Sequence, residues 1–211
     1  MESRKRTLAD GTRGSLMESA MVLFAEKGID AVSLRDITTR AGTNVSSIKY
    51  HFGSREALID EIAVLLLSPI NQERLFRLNE LESQRSPSVQ VILKALFDPL
   101  VDSLKSSPIS ASLYLKLIGR LLGDHSKNFP PFLREQLHEI TKIFLRLIKK
   151  IRPKYSSKDA LLRLQFSFGV LLSSMVHSEF INRSPEENCS ENHFADTVHQ
   201  IIIFCEAGFQ Q

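Results

Sequence analysis

The chain has 211 residues, 43% of them hydrophobic and 24% charged, enough apolar side chain to bury a core in one large domain or in a small domain joined to a medium one. A formal net charge of +3 neither requires nor excludes nucleic acid, so where the basic residues lie matters more than their sum. Two cysteines, Cys189 and Cys205, argue against a disulfide framework and fit a reducing compartment.

Strand signals are nearly absent: there is no Asn-Gly or Asp-Gly hairpin and no sustained period-two alternation. Punctuation separates segments of helical spacing instead. Leu16, Ala20, Leu23 and Phe24 form one stripe, stopped by Gly28. Ser33 stands three residues before Asp36, a capping-box start for a short helix that points Leu34, Ile37 and Ala41 inward and stops at Gly42. A third helix runs from about Asn44 to Phe52. Gly53-Ser54 interrupts it, and Ser54 caps a fourth through Leu58, Ile62 and Leu65 toward Pro69.

Longer helices follow. Ser86-Pro87 and Ser107-Pro108 each read as an N-cap followed by a first-turn proline. The pattern predicts helices from about Pro87 to Ser106, Pro108 to Leu122, Pro131 to Arg152, Ser157 to Asn182 and Glu191 to Phe209. Gly123 to Pro130 and Arg183 to Ser190 read as loops. The longest apolar runs, Ile62 to Leu67 and Ile201 to Cys205, fall far short of the roughly 20 residues that span a bilayer. Arg4, Lys5 and Arg6 are followed by polar and small residues, unlike a signal peptide, so a cytoplasmic protein with no membrane partner is expected. The class is all-α, with short helices first and long ones after.

The informative stretch is Val32 to Leu58, VSLRDITTRAGTNVSSIKYHFGSREAL. Two short helices about Gly42 have the layout of a helix-turn-helix, whose second helix enters the DNA major groove. With successive residues 100° apart, Val45, Ile48 and Phe52 cluster on the inward side of the third helix. Ser46, Ser47 and Tyr50 fall opposite, with Thr43 just ahead and Lys49 and His51 on the flanks. Short hydroxyls and a phenol approach base edges and exchange hydrogen bonds with them, while flanking cations meet phosphates on the groove walls. Ser33 at the start of the second helix and Arg55 at the start of the fourth are further candidates for phosphate. Arg4, Lys5, Arg6 and Arg13 make the arm and first helix electropositive.

LFAEKG, then Ser33-Leu34-Arg35-Asp36-Ile37, then RAGTNVSSIKYHFGSREAL resembles the DNA-binding domain of the TetR family of transcriptional regulators, over about residues 12 to 60. The YHFGSREAL wording with Asn44 is similar to the branch containing fatty-acid-responsive members. The resemblance implies that Ser33, Thr43, Asn44, Ser46, Ser47, Lys49, Tyr50, His51 and Arg55 touch bases or phosphates. Lys49 departs from the tyrosine many relatives carry, which makes that contact ionic and salt-sensitive.

An arm and three-helix DNA-binding domain over residues 1–54, followed by a larger helical ligand-binding and dimerisation domain over 55–211, is therefore expected. The partners implied are double-stranded DNA with a palindromic operator, a second copy of the chain, and a small, largely apolar ligand whose binding releases a repressor. Relatives dimerise through their last two long helices, here those through Phe166, Phe168, Leu171, Leu172 and Met175 and through Val198, Ile202 and Phe209. Apolar linings of the middle helices (Leu93, Phe97, Leu100, Leu104, Leu113, Leu117, Leu121, Phe144) offer either core or the wall of an apolar pocket. The alternative is a DNA-bound adaptor of the same fold that recruits a protein partner without an inducer.

No enzyme and no cofactor is expected: there is no Gly-rich phosphate loop, no HExxH and no Gly-x-Ser-x-Gly. Nor is a metal, because His193, His199 and Cys205 are six residues apart on one helix and point apart, and Cys189 with His193 makes only two ligands. His125, His138 and His177 read as surface or core residues.

Overall fold

A computed structural model describes residues 11–125, 128–176 and 191–209, and every regular element among them is helical. The basic arm, the side chain of His125, His177, Cys189 and the Asn182 end of the eighth helix lie outside the described residues or side chains, as does the expected loop from Arg183 to Ser190. The helices are α1 Thr12–Lys27, α2 Leu34–Arg40, α3 Val45–Phe52, α4 Arg55–Ser83 and α5 Val89–Leu104. They continue with α6 Ala111–Arg120, α7 Pro131–Ile151, α8 Ser157–Val176 and α9 Glu191–Ala207. They divide between two compact units: the described part of Met1–Leu67 with Leu104–Pro130, and Ser68–Ser103 with the described part of Pro131–Gln211.

In the first unit α1 is the hub. Leu16, Ala20, Met21, Phe24 and Ala25 are all fully buried, because α2, α3 and α6 pack around it. A helix apolar on most of its faces belongs in a core, so the single expected stripe understated its burial. Gly28 ends α1 at φ 96°, and its N–H donates to the Phe24 carbonyl at 3.0 Å. After α6 the chain continues through one π-helical turn, Leu121–His125, where a loop from Gly123 was expected.

Other departures have local causes. α4 does not stop at Pro69 but runs on to Ser83. The missing proline N–H removes one ladder bond, yet Leu66, Leu67 and Ile70 are buried on either side and hold the helix together. Helix α5 starts at Val89, with Ser88 Oγ accepting the Val91 N–H at 3.2 Å, rather than at Ser86-Pro87. Likewise α6 takes Ser110 as its cap. Ser107 is engaged in a tight turn, its hydroxyl donating to the Ile109 carbonyl at 2.8 Å and accepting the Ile109 N–H at 3.2 Å.

The second unit carries a buried polar chain. Gln136 Nε2 donates to Ser68 Oγ (3.2 Å), Asn71 Nδ2 to Gln136 Oε1 (3.3 Å), Arg74 Nη1 to Asn71 Oδ1 (3.1 Å) and Arg74 Nε to the Leu96 carbonyl (2.7 Å). That carbonyl lies in the α5 turn that precedes Pro99. Arg152 and Arg163 cap the far end of α9 by donating to the carbonyls of Phe209 (3.2 Å) and Gly208 (2.8 Å).

Of the apolar residues expected on a partner-facing surface, Leu171, Met175, Val198, Ile202 and Phe209 are instead buried within the subunit. Phe168 and Leu172 are half-buried. The exposed apolar side chains of the two helices include Leu162, Phe166 (64% exposed) and Val170 on α8, with Ile203 and Phe204 (69%) on α9. Helix α8 is long and apolar enough to cross a membrane by length and composition, but it carries Lys158, Asp159 and Arg163.

Candidate nucleic-acid interface

Local sequence builds α2 and α3 as expected. Ser33 N–H donates to Asp36 Oδ2 (2.9 Å) and Asp36 N–H to Ser33 Oγ (3.2 Å), the reciprocal bonds of a capping box. The Ser33 hydroxyl also donates to Asp36 Oδ2 at 2.5 Å. Together these bonds hold the Asp36 carboxyl below its ordinary value of 3.8. A depressed carboxylate stabilises the cap above its unfolded value and is lost as pH falls through the folded one. The side-chain titration of Asp36 followed by NMR is therefore expected to have its midpoint below 3.8, and a midpoint at or above it would mean the box is open in solution.

Asn44 caps α3, its Oδ1 accepting the Ser47 N–H at 3.2 Å. The Ser46 hydroxyl donates to the same oxygen, and Thr43 and Ser47 share a hydrogen bond of 2.7 Å between their hydroxyls. Thr43 and Ser47 are half-buried by this arrangement, whereas Asn44, Ser46 and Lys49 are exposed. Tyr50 stands furthest out, 86% exposed, with its ring edge-on to His51 at 4.9 Å between centroids. The wheel is thus phased as expected about Ile48, which is the one fully buried side chain of α3.

Two positions depart from it: Ser47, expected outward, is half-buried against Thr43. Val45 was expected inward and is 46% exposed. The wheel had placed it in the inward cluster with Ile48 and Phe52.

Two arginines proposed for the electropositive surface are held within the unit. The Arg55 guanidinium donates to the carbonyls of Ile29 and Val32 (3.1 Å to the latter) and lies 5.9 Å from the Phe24 ring centroid. Arg13 pairs with Glu61 and sits 5.0 Å over the Phe52 ring. Neither partner is close in sequence, so nothing local announces these contacts. Lys49 and His51 lie in the last turn of α3, where positive charge also suits the helix C-terminus.

The candidate pocket set splits between the two units. Leu93, Phe97, Leu100 and Phe144 are buried in one, and Leu104, Leu117 and Leu121 are buried in the other with Leu113 half-buried.

Comparison with known proteins aligns both regions with one family. The model described as "Bacterial regulatory proteins, tetR family" matches residues 16–62. That described as "Tetracyclin repressor-like, C-terminal domain" matches residues 94–208, more than half of the chain. The HTH-type transcriptional repressor KstR2 of Rhodococcus jostii is 27% identical over 131 residues, 62% of this chain and 61% of that protein. KstR2 of Mycobacterium tuberculosis is 44% identical over 50 residues, 24% of this chain and 25% of that one. The chain thus aligns with less than two thirds of the length of these curated relatives. In fold it is similar to the solved structure of the M. tuberculosis KstR2, with a TM-score of 0.63, 18% identity and coverage of 97% and 98% of the two chains. It is also similar to PfmR of Thermus thermophilus, with a TM-score of 0.55, 16% identity and coverage of 90% and 97%.

Proposed function

The chain belongs to the TetR family of bacterial regulatory proteins, whose members are DNA-binding regulators and not enzymes, and from that premise we propose that it is a cytoplasmic homodimeric repressor of transcription. Residues 1–54 read DNA, and residues 55–211 dimerise and sense a small, largely apolar molecule that releases the operator. The observation that carries the reading is α3, a short helix anchored by Ile48 whose other side presents Ser46 and a Tyr50 that touches almost nothing in its own chain. An exposed aromatic on a helix of this layout has a physical use in the major groove and none in the core.

Tyr50, Ser46 and Val45 face the bases, with Thr43, Asn44 and Ser47 at the helix start. Lys49, His51 and the Ser33 end of α2 meet phosphates. Arg55 comes to this surface chiefly as a brace, since its guanidinium is drawn to carbonyls behind it. Phe166 and Phe204 support dimerisation, because two large apolar side chains left in water on adjoining helices call for a cover. Two-fold symmetry then makes the operator a palindrome with half-sites about one helical turn, or a multiple of it, apart. Repression is the reading favoured by the 27% identical relative.

DNase I footprinting on the DNA upstream of the gene tests the proposal: a discrete protected site with a two-fold sequence is expected, and uniform protection at all sequences would overturn it. Replacing Lys49 by alanine is expected to reduce the slope of log Kd against log salt by about one unit. An unaltered slope would show that Lys49 meets no phosphate.

A further inference from the structure

The loop between α1 and α2, Gly28 to Val32, is gripped from two directions. Arg55, the first residue of α4, donates to the carbonyls of Ile29 and Val32. Arg120, the last residue of α6, donates through Nε to the Ala25 carbonyl at 3.2 Å, in the final turn of α1. Its guanidinium lies against the backbone of Gly28 so closely that a Cβ there would stand 2.8 Å from Nη1. Glycine at that position therefore serves twice, giving the φ of 96° and the room for Arg120.

The loop leads directly into Ser33, the cap of α2, and α2 and α3 pack on each other. Whatever fixes the loop thus fixes where the α2 cap and, behind it, Tyr50 stand. A helix C-terminus leaves carbonyls without intrahelical partners, and a charge-assisted bond to one of them is stronger than a neutral bond. We propose that Arg120 is a positioning residue for DNA reading: it touches no DNA, but by bonding the end of α1 beside Gly28 it holds the α1–α2 loop, together with Arg55, in the geometry that presents α2 and α3 to the operator.

This rests on the DNA-reading assignment, and its test separates the two. In full-length Arg120→Ala, amide hydrogen exchange across residues 29–37 is expected to quicken about tenfold. Affinity for the footprinted operator is expected to fall about tenfold, while affinity for unrelated DNA and the log–log salt slope stay as in the parent. Arg120→Lys, which retains a donor of similar reach, should recover part of both losses. Unchanged exchange at residues 29–37 overturns the proposal whether or not DNA binds. Faster exchange with unchanged operator affinity overturns it as well, by making the bond merely structural. A slope reduced by about one unit overturns it by placing Arg120 on a phosphate. A parent protein that gives no footprint would instead sink the DNA-reading assignment and leave the exchange arm to judge the loop.

Discussion

Tyr50→Ala is expected to lower affinity for the operator about 10- to 100-fold, the equivalent of about 1–3 kcal/mol of lost base contact, while unrelated DNA binds as before. The fold should not notice the change. Tyr50 is 86% exposed and its ring contact is with the neighbouring His51, so urea or thermal unfolding should shift by no more than about 0.5 kcal/mol. The pairing of these outcomes is what makes the substitution informative. Loss of binding together with loss of stability would mean that the phase of α3 is wrong and that Tyr50 belongs to the core. Unchanged binding would remove Tyr50 from the interface altogether.

The second large effect concerns assembly. Phe166→Glu combined with Phe204→Glu places two like charges on the exposed apolar faces of α8 and α9. Desolvating unpaired carboxylates costs several kcal/mol per group, more than a dimer held at micromolar to nanomolar concentration can absorb. Light scattering is expected to change from twice the chain mass to the chain mass at micromolar concentration, and operator binding should fall with it, because one subunit reaches only one half-site. Both side chains point away from the subunit core, so helicity by circular dichroism should be retained. A double variant that stays dimeric would place the interface elsewhere.

Legibility followed the range over which each feature is determined. The capping box of Ser33 and Asp36, the glycine ends and the Ile48 anchor are decided within a few residues, and all stand where the pattern put them. Burial of Leu66, Leu67 and Ile70 carries α4 past Pro69, while α5 and α6 are capped by Ser88 and Ser110 rather than by the serines of the serine-proline pairs. Helices α8 and α9 carry apolar residues on more than one face, so spacing could not say which face is subunit core. Leu171 and Ile202 proved internal, and Phe166 and Phe204 external.

Charge was the least legible quantity. Arg13, Arg55, Arg74, Arg120, Arg152 and Arg163 all bond groups within their own unit, some of them far away in sequence. Among the described basic residues of the first four helices, Arg13 is held by Glu61 and Arg55 by backbone carbonyls, while Arg35 and Arg40 on α2 are exposed. On α3 itself Lys49 is exposed and His51 half-buried.

The ratio of affinities for the footprinted operator and for a scrambled duplex of equal length and composition, taken at one physiological salt concentration, tests the central claim most directly. A sequence-specific dimer reading two half-sites through α3 is expected to prefer its operator by about a thousandfold or more. A ratio near one would show a protein that meets DNA through charge alone, and would contradict the assignment of Tyr50, Ser46 and Val45 to the bases.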